Sequence, residues 1–351
     1  MVRRPIFLRG TPELNASLMD ALSDVLRVVR LSGAVYLNAE FTSPWCTESP
    51  KDAAMCSAFL PGTKRVVAYH LIAEGSCWAQ LADDADSALQ LSAGEILVIP
   101  QGETHVMGSA LDLPPTPAAT LTAEQLETAP GEIMRLNHGG GGAKTRLVCG
   151  FLACDEVLSN PLLASLPRIF KVDVRNGEGS AWLESSLRFA AEEAAVSRAG
   201  GATVLAKLSE LLFVEAVRRC MDTIPQDEKS WLAGLRDRFV GRALALLHAQ
   251  PAHAWTVDEL ARKVGLSRSA LAQRFGDFLG QPPMQYLARW RLQIAAHQLR
   301  TGEKSLAAVA EDVGYDSEAA FNRAFKREFG MPPASWRRSE IGIKGLGTTA
   351  T

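Results

Sequence analysis

The C-terminal stretch constrains this chain more than any other, because it contains one pattern written twice. Leu260 to Pro283 reads LARKVGLSRSALAQRFGDFLGQPP, and Val309 to Pro333 reads VAEDVGYDSEAAFNRAFKREFGMPP. Ala261, Gly265, Phe275, Gly280 and Pro282–Pro283 of the first copy recur as Ala310, Gly314, Phe325, Gly330 and Pro332–Pro333 in the second. The glycines after Val264 and Val313 are 49 residues apart and the phenylalanines 50. The second copy therefore carries one extra residue, expected inside its second helix. A repeat that keeps turn and core while varying its outer faces is a duplicated supersecondary unit.

Each copy has the grammar of a helix-turn-helix. A short amphipathic helix carries a small residue, Ala261 or Ala310, where a second helix must cross closely. Gly265 or Gly314 follows, where a tight turn needs positive φ. Ser267, or Asp316 with Ser317, offers an oxygen to cap the next helix. Leu271 and Phe275 lie four apart and face inward, as do Phe321 and Phe325. The remaining face carries Arg268, Ser269, Ala272, Gln273 and Arg274 in copy one. In copy two it carries Ser317, Glu318, Ala319, Asn322, Arg323 and Lys326. Small, amide and guanidinium side chains suit base edges in a major groove. The alternative is a helical hairpin that only packs. Arg323 is the leading base-contact candidate and Gln273 the next; Arg274 either reaches the backbone or packs against the linking helix.

The two copies, with the connecting helix around Trp290 and Arg291, resemble the DNA-binding domain of AraC/XylS-type transcription regulators. The stretch Gly314 to Arg337 resembles that family's signature, and the match covers roughly residues 236–338. The resemblance implies two helix-turn-helices, joined by a long helix, that enter successive major grooves on one face of double-stranded DNA. It places the recognition helices at about 268–276 and 317–327. It also implies RNA polymerase as a partner and pairing into a homodimer.

Charge distribution agrees with that reading. The net charge is −2, yet residues 230–351 hold 17 Lys/Arg and 11 Asp/Glu, while the remainder of the chain is net acidic. A basic C-terminal part favours phosphate contact, and an acidic remainder argues against nucleic-acid binding throughout. No uninterrupted apolar run of membrane-spanning length occurs, so no membrane span is expected. The start, MVRRPIFLRGTPELN, lacks the apolar core of a secretion signal, and a cytoplasmic protein is expected. The six cysteines show no CxxC spacing and make no zinc ribbon.

Along the rest of the chain, Ser17 to Arg30 spaces Leu18, Leu22, Val25, Leu26 and Val29 on one helical face. Ala34 to Phe41 reads as a strand. From Lys64 to Gly108 short strands alternate with turns, the pattern of a β-barrel or sandwich. Gly94-Glu95, then ILVIP, then Gly102 and His105, resembles the second motif of the cupin barrel. The region 20–170 resembles the cupin-type sensor of many AraC-like regulators. His70, Trp78 and His105 are the ligand-pocket candidates. Metal-binding cupins supply a His-x-His pair from the first motif, but Ile72 stands where the second histidine belongs. Two histidines fall short of the three protein ligands a zinc or iron site needs, so no metal and no other cofactor is expected.

His138 and the four glycines after it lack the Lys-Ser/Thr helix start of a P-loop and are expected to form a hinge. Cys149 and Cys154 are five apart in an apparent strand and face opposite sides. Cys149, Cys46 and Cys77 are the redox candidates, with Cys56 a further partner, if a thiolate senses oxidant; otherwise they are small buried apolar residues. Residues 180–200 and 201–223 are two amphipathic helical stretches, and Trp231 to Ala249 supplies a helix leading into the first repeat.

The expected architecture is α+β and multidomain. Residues 1–15 are a flexible start, 16–175 a cupin-like β-barrel sensor and 176–228 a helical linker or dimerisation region. Residues 229–338 form an all-α DNA-binding domain with helix-turn-helices at 256–276 and 305–327, and 339–351 a flexible tail. The expected function is a DNA-binding transcription regulator, not an enzyme, whose sensor takes a small molecule. The alternatives are a cysteine-based oxidant sensor and a metal-dependent cupin enzyme fused to a DNA-binding domain.

Overall fold

The computed structural model describes residues 20–29, 31–49, 65–123, 133–154, 160–175, 180–196, 198–225, 228–302 and 304–338. The expectations for Cys56 and for both chain ends lie outside the described residues. Two compact units emerge: residues 31–223 form one, and residues 20–29 together with 224–338 form the other. This division differs from the expected one at both ends of the sensor. Helix α1 (Asp20–Val29) belongs to the C-terminal unit, and the two helices expected as a linker belong to the sheet unit.

The sheet unit contains eleven strands among the described residues. They are β1 (Ser32–Thr42), β2 (Cys46–Ser49), β3 (Arg65–Glu74), β4 (Ser76–Leu81), β5 (Asp84–Ser92) and β6 (Glu95–Ile99). β7 (His105–Gly108), β8 (Thr116–Pro117), β9 (Met134–Gly139), β10 (Lys144–Cys154) and β11 (Phe170–Asp173) complete them. One sheet runs β11-β6-β3-β10-β1-β9 and the other β5-β4-β7-β2-β8. Most neighbours are antiparallel; β1–β9 and β2–β8 are parallel. No ladder among the described residues joins the two sheets, so among those residues the expected cupin-like β-barrel is a stack of two sheets.

Alternation along each strand builds the core between the sheets. Ala68 and Ile72 of β3, Leu147, Cys149 and Phe151 of β10, and Cys77, Ala79 and Leu81 of β4 all point into it. The opposite face of the six-stranded sheet is covered by α4 (Ser180–Ala195) and α5 (Gly201–Thr223). Tyr69, Leu71, Val98, Val148 and Leu152 meet Leu187, Leu205, Leu212 and Phe213 there. Two short helices, α2 (Ala118–Ala123) and α3 (Asn160–Leu163), lie in the connections.

The glycine run after His138 is a tight loop rather than a hinge. The Gly140 and Gly142 amides donate to the carbonyls of Thr42 and Ser43, and the Gly141 amide to Thr42 Oγ1. A Cβ on Gly140 would lie 2.3 Å from Pro44 Cδ. Close backbone approach explains glycine there, and the amides left over for an anion are few.

In the C-terminal unit α1 packs on α7 (Val240–Ala249) and α10 (Pro283–Thr301), burying Ala21, Leu22, Val25 and Val28. The single helix expected over 231–249 is two, α6 (Trp231–Arg236) and α7, broken where Asp237 turns its carboxylate onto the Phe239 and Val240 amides. The first repeat is α8 (Val257–Val264) and α9 (Arg268–Leu279); the second is α11 (Leu306–Asp312) and α12 (Glu318–Phe329). No described helix is long and apolar enough to cross a membrane.

Candidate nucleic-acid interface and sensor core

Both repeats fold as their sequence grammar requires. Thr256 caps α8 by accepting from the Glu259 amide, and Ser267 caps α9 by accepting from Ala270. Ser305 and Ser317 do the same for α11 and α12, from Ala308 and Ala320. Gly265 and Gly314 take φ of 81° and 80° at the two turns. Leu271, Phe275, Phe321 and Phe325 are fully buried. The extra residue of the second copy is not inside its helix: α9 and α12 are both 12 residues long. It lies in the turn, since two residues lead from Gly265 to the cap Ser267 and three from Gly314 to Ser317.

The outward faces of α9 and α12 differ in what is free to act. Arg268, Ser269, Gln273 and Arg274 are exposed on α9, with Ala272 half-buried. Arg268 pairs with Asp258 at 3.3 Å, and the Ser269 hydroxyl lies 3.3 Å from that of Ser267. Arg274 is tied down by Asp237, with Nε 2.9 Å from Oδ1 and 3.0 Å from Oδ2, and its guanidinium lies over Phe239. In this structure Arg274 makes an intramolecular ion pair. The residue it packs against is Asp237, not the linking helix. On α12, Glu318, Ala319, Arg323 and Lys326 are exposed and Asn322 is half-buried, while the Ser317 oxygen is used by its cap. Among the described residues, Arg323, Lys326 and Gln273 have no side-chain partner.

The linking helix α10 supplies a contact that sequence reasoning missed. Arg291 donates from Nε to the Pro251 carbonyl at 2.6 Å, from Nη2 to His253 at 2.8 Å and from Nη1 to Gly314 at 3.2 Å. Nothing local in the sequence marks that convergence, because the three acceptors are backbone groups from two distant loops.

In the sheet unit, cross-strand register brings His70 opposite Cys149. Cys149 Sγ lies 2.9 Å from His70 Nδ1, and His70 Nε2 lies 2.8 Å from His105 Nε2. His105 Nδ1 lies 2.8 Å from the Glu103 carbonyl. A carbonyl only accepts, so His105 carries its proton on Nδ1 and its Nε2 is bare. His70 then donates from Nε2, leaving Nδ1 to accept the Cys149 thiol proton. Burial holds both histidines below the usual imidazole range, so both are neutral and the chain of protons is fixed.

The other sensor candidates are not gathered there. Trp78 alternates with inward Cys77 and points out, 38% exposed, so it does not line the interior. Burial pushes the thiols of Cys77 (to about 12), Cys149 and Cys46 up, which opposes a thiolate at neutral pH. Glu95 is turned to Lys171 and the Ser92 amide, and Glu103 to Arg168. Among the described residues no three His, Cys, Asp or Glu side chains converge as a metal would require.

The cavity lined by His70, Cys149, Phe41, Met107 and Leu121 measures about 30 Å³. Organic-ligand pockets run to about 300 Å³ or more, so the space at this cavity, among the described residues, is water-sized. A wider groove of about 790 Å³ opens on the surface beside β11, α4 and α5, lined by Lys171, Trp182, Arg218 and Arg219.

A fold of this kind, a two-sheet unit followed by a duplicated helix-turn-helix, defines a DNA-binding regulator with a separate sensor. Residues 20–222 match the family model described as Cupin, and residues 260–339 the one described as Helix-turn-helix domain. An AraC-like transcription regulator of Streptomyces lividans is 31% identical over 91% of this chain and 98% of its own length. The RCS-specific HTH-type transcriptional activator RclR of Escherichia coli K12 is 28% identical over 91% of this chain and 97% of its own. The DNA-binding domain of AdpA, solved with a target DNA, is 27% identical over 31% of this chain and 97% of that one, with a TM-score of 0.30. The chain belongs to the AraC-like transcription regulators and carries a cupin-type N-terminal domain.

Proposed function

We propose that this regulator acts in the cytoplasm as a homodimer, reads its operator through Arg323 and Gln273, and presents promoter-bound DNA to RNA polymerase. The observation that carries the reading is the contrast between the two arginines of the recognition helices. Arg274 is held by Asp237, whereas Arg323 is exposed and without a partner among the described residues. An unpaired guanidinium on the outer face of α12 is free to form the bidentate contact with guanine that dominates direct readout. Selection of bound sequences from a randomised duplex library by the full-length protein tests it. A recovered motif whose information falls at one position in Arg323→Ala supports the assignment; no recovered motif with wild type sinks it.

The exposed faces of α4 and α5 support self-association. Trp182, Phe189, Val204 and Leu211 are 42–55% exposed on these two helices. Trp182 and Phe189, like Val204 and Leu211, are seven residues apart and share a face of their helix, the arrangement an apolar interaction face requires.

For the input, the cavity beside His70 is water-sized among the described residues, which directs a small-molecule reading to the groove beside Trp182 and Arg218. The oxidant reading has its own support. Cys149 sits against the His70–His105 pair in a cavity that water-sized oxidants fit, and one relative is named as an RCS-specific activator. DNA binding measured under reducing conditions, then with peroxide or hypochlorite, separates the two. A change abolished by Cys149→Ser favours the thiol, and indifference to oxidant favours the groove.

A further inference from the structure

Arg291 is half-buried at the middle of α10, and its hydrogen bonds go to carbonyls rather than to a carboxylate. Its guanidinium faces two helix ends instead. Pro251 and His253 follow the C-terminus of α7, and Gly314 follows that of α11. All three acceptors are loop carbonyls just past the last turns, and the His253 carbonyl also accepts from the Trp255 amide. A planar fork reaches carbonyls of both at once, which a lysine ammonium on a flexible stem does not do. The same junction is packed to contact: a Cβ on Gly314 would lie 2.7 Å from the Ala252 carbonyl oxygen and 3.0 Å from Arg291 Nη2. The loop entering the first helix-turn-helix therefore touches the turn of the second, with Arg291 between them.

We propose that Arg291 is a positioning residue that sets the separation and angle of recognition helices α9 and α12, and through them the spacing between the two DNA elements the protein accepts. The inference rests on both helices engaging one DNA. Successive major grooves are about 34 Å apart, so a protein that reads two of them converts its internal geometry into a spacing rule. A junction closed by three charge-assisted hydrogen bonds and a glycine contact resists the sliding that would relax the rule.

The test uses the full-length protein and an operator defined by library selection. Wild type and Arg291→Lys are titrated with duplexes carrying the selected spacing, one base pair more, one base pair fewer, or a single element, at one salt concentration. Wild type is expected to prefer its own spacing by about tenfold or more. Arg291→Lys is expected to compress that preference to about threefold while keeping the base preference within each element. A common weakening on every duplex, with the spacing preference intact, overturns the inference and leaves Arg291 a merely structural residue. Wild type that ignores spacing overturns it as well. If wild type binds the single element as tightly as the pair, the two-groove reading fails first, and the single-element duplex tells that failure apart. Should Arg291→Lys not fold, Arg291→Gln, which keeps two N–H donors, is read against the same outcomes.

Discussion

Asp237 accepts Arg274 and caps a helix with one carboxylate. Oδ1 lies 2.9 Å from Arg274 Nε and also 3.1 Å and 2.9 Å from the amides of Phe239 and Val240. Desolvation opposes the charge, yet these donors together hold the Asp237 carboxyl below the usual carboxylate range. Arg274 is nearly half exposed, so its ion pair is worth only about 0.5–1 kcal/mol. Arg274→Ala is therefore expected to lower stability by about that amount. Asp237→Ala, which also loses the cap, should cost about 1 kcal/mol more. Urea unfolding of both variants checks the order. Neither should alter the recovered operator motif; a lost base preference in Arg274→Ala would make it a reader after all.

Arg323 behaves oppositely in this reading. Removing an unpaired, exposed guanidinium leaves the fold intact, so Arg323→Ala should melt within about 0.5 kcal/mol of wild type. Its cost should appear on DNA, about 1–3 kcal/mol at a single base position. Binding to a panel of single-base operator variants reads this directly. Equal weakening on all of them, with a shallower salt slope, would assign Arg323 to a phosphate.

The buried histidines give stability a defined pH dependence. Burial lowers His248 to about 3, and the Asp24 carboxylate, 3.8 Å from Nδ1, lies too far to reverse it. Burial dominates because His248 is enclosed by Tyr286 and stacked on Trp290. In the unfolded chain the same imidazole titrates near 6.5. Between those values the unfolded state binds the extra proton, so stability falls as pH drops below about 6.5. The slope is at most about 1.4 kcal/mol per pH unit for each such histidine. His70 and His105 add slopes of the same sign in the sheet unit. Unfolding free energies measured at pH 7.5, 6.0 and 5.0 should decline together, and His248→Leu should flatten the decline. A rise towards pH 5 would contradict the neutral assignment.

The association face is tested by charge. Leu211 is 55% exposed on α5, so Leu211→Glu should leave the monomer's stability within about 0.5 kcal/mol. Sedimentation at micromolar concentration should shift from dimer to monomer. A wild-type monomer at every concentration, or a variant that still dimerises, would remove α4 and α5 from the interface.

The C-terminal unit was legible because its information is local. Gly265 and Gly314, the caps Ser267 and Ser317, and the Leu271/Phe275 and Phe321/Phe325 pairs act within one turn or one helix. Arg291 and Asp237 escaped because their partners are backbone and side-chain groups brought near only by the fold. The placement of the extra residue was misjudged for a related reason. Counting between glycine and phenylalanine cannot say whether the turn or the helix absorbs the surplus, and the cap oxygen decides it. In the sheet unit, alternation gave the strands but not how they pair. It could not choose between a barrel and two sheets, and Trp78 was grouped with the cavity although Cys77 beside it takes the inward position. The Cys149–His70 contact depends on register between strands far apart in sequence.

That contact yields the last expectation. The neutral relay from Cys149 through His70 and His105 to the Glu103 carbonyl uses every ring nitrogen once. Cys149→Ala removes the one donor to His70 Nδ1 among the described residues and should cost about 1–3 kcal/mol. Cys149→Ser keeps a donor and should cost less. The thiol is protonated and enclosed, so it reacts slowly with every reagent and size orders the rates: iodoacetamide should alkylate Cys149 slowest in the native protein. Peroxide or hypochlorite, small enough for a cavity of about 30 Å³, should oxidise it faster. His70→Gln, which replaces the imidazole that accepts the thiol hydrogen bond, should change the oxidation rate without opening the cavity. Mass spectrometry of oxidant-treated protein reports the site. Oxygen added at other residues while Cys149 stays reduced, with DNA binding unchanged, would reduce Cys149 to a small buried core residue and move the search for the signal to the groove beside Trp182.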